Sequence, residues 1–412
     1  MNRRSTNLAR QLAGARQPLT TAARRAAAGL ALAALVCCSG PSDSPGTAAH
    51  SDRPESISLT HEPVPRPAID WAPRTYVARR AAGTLEVDGK LSERDWAVAP
   101  WTEDFIDIEG PTRPRPHLRT RAKVLWDDRA LWIGAELEEP HVWGTLTERD
   151  AVIYQDDDFE VFIDPDGDTH GYYELEINAL GTEWDLLLIR PYRDGGPAIH
   201  AWDIPGLRSA VHVSGTVNEP ADRDSGWSVE IAIPWTGLAE ATDVPVPPRA
   251  GDRWRVNFSR VDWPVDVRDG RTVKRVDAAT GEAGPERNWV WSPQGLVAMH
   301  YPEMWGFLEF ADQAGRTDAA GPADAPGVGV NGSSPVIRPA PAERAGWLLR
   351  RVYYAQHEYR SRTGRWADDA SELGMGSELG LAITPHGFEA WVTLEDGRTV
   401  RIDEEGRVRV PR

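Results

Sequence analysis

Acidic side chains crowd the stretch from Tyr154 to Asp185, YQDDDFEVFIDPDGDTHGYYELEINALGTEWD, interleaved with aromatic and aliphatic residues. Carboxylates in such a setting can do acid–base chemistry, hold a hard cation, or accept hydrogen bonds from a ligand's hydroxyls. Glycoside hydrolysis needs two of them facing across one bond, about 5 to 10 Å apart. Glu160, Glu174, Glu176 and Glu230 fall on the polar faces of expected strands, and no spacing singles out two of them. Asp164, Asp166 and Asp168 alternate along DPDGD and can converge on calcium, with Asp156, Asp157 and Asp158 as further ligands, although the twelve-residue helix-loop-helix calcium pattern is absent. His141, His170 and His300 are scattered without an HExxH spacing, which speaks against a zinc hydrolase. No GxxxxGK[ST] or GxSxG occurs either.

The chain that must position these groups has 412 residues, 41% hydrophobic and 26% charged, enough for two or three globular domains. A formal net charge of -17 disfavours nucleic acid as a partner. The first 40 residues differ from the rest: Arg3, Arg4, Arg10, Arg16, Arg24 and Arg25 are unopposed by acids and precede an apolar run, Ala26 to Val36. That run is too short to span a bilayer as a mature helix and reads as an export signal over 1–38, with Arg3-Arg4 hinting at the twin-arginine type. It ends in LVCCSG, so Cys37 or Cys38 is the candidate lipidated residue of a bacterial lipoprotein. The expected location is the periplasm or outer membrane, or outside the cell, with membrane contact through the lipid alone. No cysteine follows Cys38, which removes disulfides and thiol chemistry from the body of the protein.

Residues 39–73 are rich in Ser, Pro, Gly and Ala and read as a tether; 312–343 have the same character and read as a flexible linker. Between them, over 74–311, apolar residues recur with period two in short runs such as Leu131, Ile133, Ala135 and Leu137, or Phe159, Val161 and Ile163. Asp127 to Ala130 reads as a hairpin loop and DPDGD as a turn. The expected fold is mainly β, an antiparallel β-sandwich of immunoglobulin or jelly-roll type. Over 344–412 the period changes. Leu348, Val352, Ala355 and Tyr359 form a helical stripe, and a meander follows with turns at Asp396-Gly397 and Glu405-Gly406. This small α+β module looks like the soluble half of a pilin-type module without its N-terminal hydrophobic spine.

Fifteen of the 18 tryptophans lie between Trp71 and Trp305, a density that suggests ligand platforms among them, whereas Trp126, Trp132, Trp227, Trp235 and Trp254 sit in strand patterns and read as packing. The ordered strands LEVDGKLSERDWAVAP, AKVLWDDRALWIGAELEEP, DDFEVFIDPDGDTHGYYELEINALGTEWD, GWSVEIAIPW, WRVNFSRVDW and WGFLEF resemble the family 9 carbohydrate-binding modules and their family 9-like relatives, over about residues 80 to 311. The resemblance implies a sandwich stabilised by calcium that holds a chain end or a small sugar between two aromatic rings. Carried over by position, one ring falls at Tyr154 and an acidic ligand-facing residue at Glu160. A polar pair falls at Glu176 and Asn178, where the pattern has Arg and Asn, and a later polar position at Ser259, beside Arg260. The second ring falls at Met299, with His300 and Tyr301 adjacent. Met299 cannot stack as an indole does, and Trp184, Trp202, Trp289 or Trp291 are candidates to rebuild the platform.

The expected function is non-catalytic binding of a poly- or oligosaccharide at the cell envelope. The alternative is a structural or partner-binding envelope protein, with other envelope proteins held through the C-terminal module. A glycosidase is the third reading, and the chain has no second domain large enough for the usual catalytic barrel.

Overall fold

The computed structural model describes residues 62–316, 338–376 and 378–411. The expected export signal, Cys37, Cys38 and the middle of the expected linker lie outside them.

The central strands begin with β1 (Thr75–Arg80), a short helix α1 (Arg94–Val98), β2 (Ile106–Asp107), β3 (Thr120–Trp126) and β4 (Ala130–Leu137). They continue with β5 (Asp158–Asp164), β6 (Tyr172–Asn178), β7 (Glu183–Leu188), β8 (Ala198–Ile199), β9 (Arg208–Ser214) and β10 (Gly226–Pro234). Then come β11 (Arg253–Asp262), β12 (Val265–Arg268), β13 (Arg271–Lys274), β14 (Arg287–Val290) and β15 (Gly306–Ala311). Local chemistry sets the turns. Asp127 Oδ1 accepts the N–H groups of Arg129 at 2.7 Å and Ala130 at 2.9 Å, which closes the β3–β4 hairpin. At DPDGD, Gly167 takes a φ of +68°.

All of these strands but two run in one hydrogen-bonded path, β8-β7-β6-β5-β11-β15-β1-β3-β4-β10-β9, with β14 attached to β11 and β2 to β14, while β12 and β13 pair only with each other. The two ends of this path fold over each other: Val161 and Leu175 share one buried core with Ile133 and Ile231. Among the described strands every pairing is antiparallel except at β1, which runs parallel to both β15 and β3 and so departs from the all-antiparallel expectation. The five tryptophans expected to pack in strands are all buried.

The C-terminal unit consists of α2 (Pro341–Thr363) and the antiparallel strands β16 (Gly380–Ile383), β17 (Phe388–Thr393), β18 (Thr399–Asp403) and β19 (Val408–Arg409). Pro341 opens the helix, where its missing N–H costs nothing, and Gly364 closes it in the left-handed conformation, φ +77°. Its buried stripe is Ala345, Leu349, Val352, Tyr353 and Gln356; of the expected stripe only Val352 is buried, and Leu348 is exposed. The shift has a physical reason: α2 is covered on two sides, by its own sheet and by the sandwich, so polar residues such as Arg350 are buried as well.

The expected tether and linker also end short of free chain. Val64, Ile69 and Trp71 pack into the apolar cluster shared with α2, and Ala68 donates its N–H to Gly295 O at 3.0 Å.

Candidate functional site

Strand alternation decides which side chains meet. On β5 and β6 the odd-numbered apolar residues enter the core, and Asp158, Glu160, Phe162, Glu174 and Glu176 face the other way. Cross-strand register then builds one row, Trp184, Glu176, Glu160 and Ser259, from four adjacent strands, with Glu174 opposite Phe162 in the next row. Oxygens of Asp158, Glu160 and Glu176 come within 4.8 Å of one another.

Two aromatic side chains rise beside these carboxylates. Tyr154 is 37% exposed, its backbone N–H donates to Glu176 Oε2 at 2.8 Å, and its carbonyl accepts Trp263 Nε1 at 2.8 Å. Tyr192 is 48% exposed and is braced edge-on by His300, with ring centroids 4.5 Å apart. Burial pushes the Tyr192 hydroxyl up, and Glu174, Glu176 and Tyr154 add to the shift, which places it within electrostatic reach of all three. Trp184 stacks on His200 at 5.6 Å and lies 6.4 Å from Tyr154.

Charge in this row is held back by burial. The Glu160 carboxyl is pushed up to about 7 by desolvation, with the Ser259 hydroxyl opposing and Glu286 adding. Desolvation also raises Glu174 and Glu176 well above the usual range, with Glu160 as the next cause for both. Glu160 Oε2, Asp158 Oδ2 and Ser259 Oγ are buried without a well-formed hydrogen bond. Such groups can donate when protonated and accept when ionised, the two roles that sugar hydroxyls ask for.

Tyr154, Glu160, Glu176, Trp184 and Ser259 are therefore brought together. The remaining expected positions go elsewhere, each for a visible reason. Asn178 spends its side chain on its own turn, donating to Leu146 O and Asp156 Oδ2 and accepting from Leu180 and Thr182. Arg260 points from β11 to the opposite face, fully buried against Glu139 at 2.6 Å and Asp262 at 3.2 Å. Met299 packs on the cluster around Trp184 and Trp305. Tyr301 is buried under Arg193, its hydroxyl on Pro65 O. Trp289 and Trp291 are core residues, and Trp202 is committed to Tyr173 and Glu240. Glu230 lies in the far half of the path and accepts from Trp96 Nε1 and Asp88 N, so it pairs with none of the other three glutamates. Tyr192 was not among the expected residues; its mark in the sequence is an aromatic in the turn-rich loop RPYRDGG.

The Asp164, Asp166 and Asp168 oxygens converge within 4.8 Å. Asp164 accepts from Gly167 N and Thr169 N, Asp166 from Asp243 N, and Asp168 from His170 N and from Arg407 Nε at 2.6 Å. The donor set fits a hard cation in type and convergence, and Arg407 already places one positive charge against it. Asp156, Asp157 and Asp158 cannot add ligands: they sit at the other end of β5, roughly 20 Å away, and accept from Thr145 N, Trp143 Nε1 and Val261 N.

Residues 87–247 match the family described as carbohydrate family 9 binding domain-like. Over 164 residues the chain is 27% identical to the exoglucanase XynX of Acetivibrio thermocellus and 26% identical to the endo-1,4-beta-xylanase A of Thermoanaerobacterium saccharolyticum. The aligned part is 39% of this chain and spans only 12% of the length of either relative. A family 9 carbohydrate-binding module from Caldicellulosiruptor kristjanssonii in complex with cellotriose aligns over 60% of this chain and 98% of its own, with 16% identity and a TM-score of 0.38. Residues 87–247 are thus similar to the family 9-like carbohydrate-binding domains.

Proposed function

We propose that this protein binds the end of a neutral oligosaccharide or polysaccharide chain, without cleaving it, at the face flanked by Tyr154 and Tyr192. One observation carries the reading: two half-exposed aromatic rings stand beside the buried carboxyl groups of Glu160, Glu174 and Glu176, with Glu160 Oε2 and Ser259 Oγ left without a hydrogen-bond partner. Rings can stack on the C–H faces of a sugar while the carboxyl groups meet its hydroxyls. Tyr192 takes the part that the family pattern gives to the position of Met299. A glycan array with the full chain and with Tyr154→Ala tests this: binding to xylan, cellulose or their oligomers that disappears in the variant supports it. Silence across the array transfers the function to the runner-up, a partner-binding envelope protein, which the close docking of the C-terminal unit favours.

The export reading belongs to the same proposal. Cleavage before Cys37 or Cys38 and lipidation would hold the domain at the envelope on the Ser- and Pro-rich segment that follows; metabolic labelling with a fatty acid, lost on replacing both cysteines, checks it. Calcium is the cation suited to Asp164, Asp166 and Asp168. Its binding predicts a thermal midpoint that rises with calcium and falls with chelator; an unchanged midpoint contradicts it.

A further inference from the structure

Between the sandwich and α2 lies a cavity of about 800 Å³, distinct from the Tyr154 face. Its apolar wall includes Trp71 and Trp347, half-buried and stacked 5.5 Å apart with their planes 7° from parallel. Of the acids that line it, Asp168 has Arg407, Glu343 has Arg253 and Glu303 has Arg193 as cationic partners, whereas Asp166, at one edge, accepts from the Thr242 hydroxyl and Asp243 N.

Arg350 is in a different position. Its side chain is 1% exposed and lines the cavity. Nη2 donates to Thr169 Oγ1 at 3.0 Å and to Gly406 O, whereas Nε and Nη1 have no hydrogen-bond partner. Glu303 Oε1 stands 3.8 Å from Nε, close enough to pair in charge but beyond hydrogen-bond range. Arg255, on the same wall, donates Nη1 to Trp305 O at 2.7 Å and rests over the Phe307 ring. Burial pulls its pKa down to about 10, against the opposing charges of Glu343, Asp164 and Glu303.

Buried donors without acceptors are rare in folded chains and call for an explanation. A carboxylate meets a guanidinium through two parallel hydrogen bonds and is the small acceptor that suits it best. The volume is that of a small-molecule site, large enough for a disaccharide, and indole faces suit a sugar ring. The geometry points to a second binding site, in which Arg350 and Arg255 hold the carboxylate of an acidic sugar, a uronic acid or its short oligomers, against the Trp71–Trp347 wall.

The test titrates digalacturonic acid into the full chain at pH 7, followed by tryptophan fluorescence and calorimetry, with lactose as the neutral disaccharide. Saturable binding of the acid alone is expected, weakened tenfold or more in Arg350→Met and unchanged in Tyr154→Ala. Arg350 also supports Thr169 and Gly406, so Arg255→Met, which leaves those bonds in place, is the second variant and is expected to weaken binding as well. Thermal unfolding is recorded for both; if Arg350→Met fails to fold, Arg255→Met decides. The proposal is overturned by no binding in the parent, by unchanged affinity in the folded arginine variants, or by equal binding of lactose. Loss of binding in Tyr154→Ala also overturns it, since the ligand would then sit on the other face. Because Tyr154→Ala separates the two sites, failure here leaves the neutral-sugar reading standing, and failure of that reading leaves this one testable.

Discussion

Glu160 is the residue on which the chemistry of the Tyr154 face turns. Its carboxyl is held up to about 7 chiefly by burial, against an ordinary value of 4.5. Between those two values the folded chain binds more protons than the unfolded one. The stability this group contributes is therefore complete below pH 4.5 and is lost as pH rises through about 7. Glu160→Gln cannot ionise, so the variant's urea midpoint is expected to gain on the parent's from pH 4.5 to 7.5, by on the order of 3 kcal/mol at most; a difference that does not change with pH contradicts the assignment. The two tyrosines make a second residue-scale prediction. Tyr192→Ala is expected to weaken sugar binding about tenfold, roughly 1.4 kcal/mol, while Met299→Ala, whose side chain packs on the Trp184 and Trp305 cluster and not on Tyr154 or Tyr192, leaves the affinity alone; titration calorimetry distinguishes them. Period-two alternation was enough to place Glu160 and Glu176 on polar strand faces, and the family pattern added Ser259. The same alternation sends Arg260 to the opposite face, one residue on from Ser259. Sequence position could not show that Asn178 is consumed by its own turn, or that a ring from the 190–197 loop folds back over the strands.

At the scale of elements, the docking of α2 is the largest departure from what the sequence suggested. Glu303 is buried between Arg193, at 2.9 Å, and the Tyr354 hydroxyl, at 2.5 Å, and Arg193 and Arg350 hold its pKa down to about 2 against the cost of burial. Arg193 follows Tyr192 directly, and Asp194 accepts the Tyr353 hydroxyl, so the loop carrying one sugar-facing ring is fastened to the C-terminal helix. Glu303→Ala leaves Arg193 with Asp194 alone and takes from buried Arg350 the carboxylate 3.8 Å from its Nε, and is expected to cost about 3–5 kcal/mol, read from denaturant unfolding, with Glu303→Gln recovering part of it. A loss below 1 kcal/mol would show that the contact is not formed in solution. Strands β3 to β6, β10 and β11 were legible because each is short, alternating and bounded by Asp, Gly or Pro. The buried stripe of α2 was not, because a helix covered on two sides buries Arg350, Tyr353 and Gln356 together and blurs the amphipathic pattern on which the reading depended.

For the whole molecule, the tandem order of sandwich and small α+β unit was readable, since the apolar period changes from two to that of a helix between them. How the two parts meet was not, because contacts between residues more than a hundred positions apart, such as Arg407 with Asp168, leave no periodic trace. The central claim remains that the Tyr154 and Tyr192 face binds a neutral sugar chain without cleaving it. The most direct measurement is calorimetric titration of cello- and xylo-oligosaccharides into the full chain and into the double variant Tyr154→Ala, Tyr192→Ala, with the product mixture analysed for shorter sugars afterwards. Saturable heat in the parent, its loss in the double variant and intact oligosaccharide in both are the predicted result. No heat with any oligomer, equal affinity in the double variant, or shortened sugars in the parent would contradict the account.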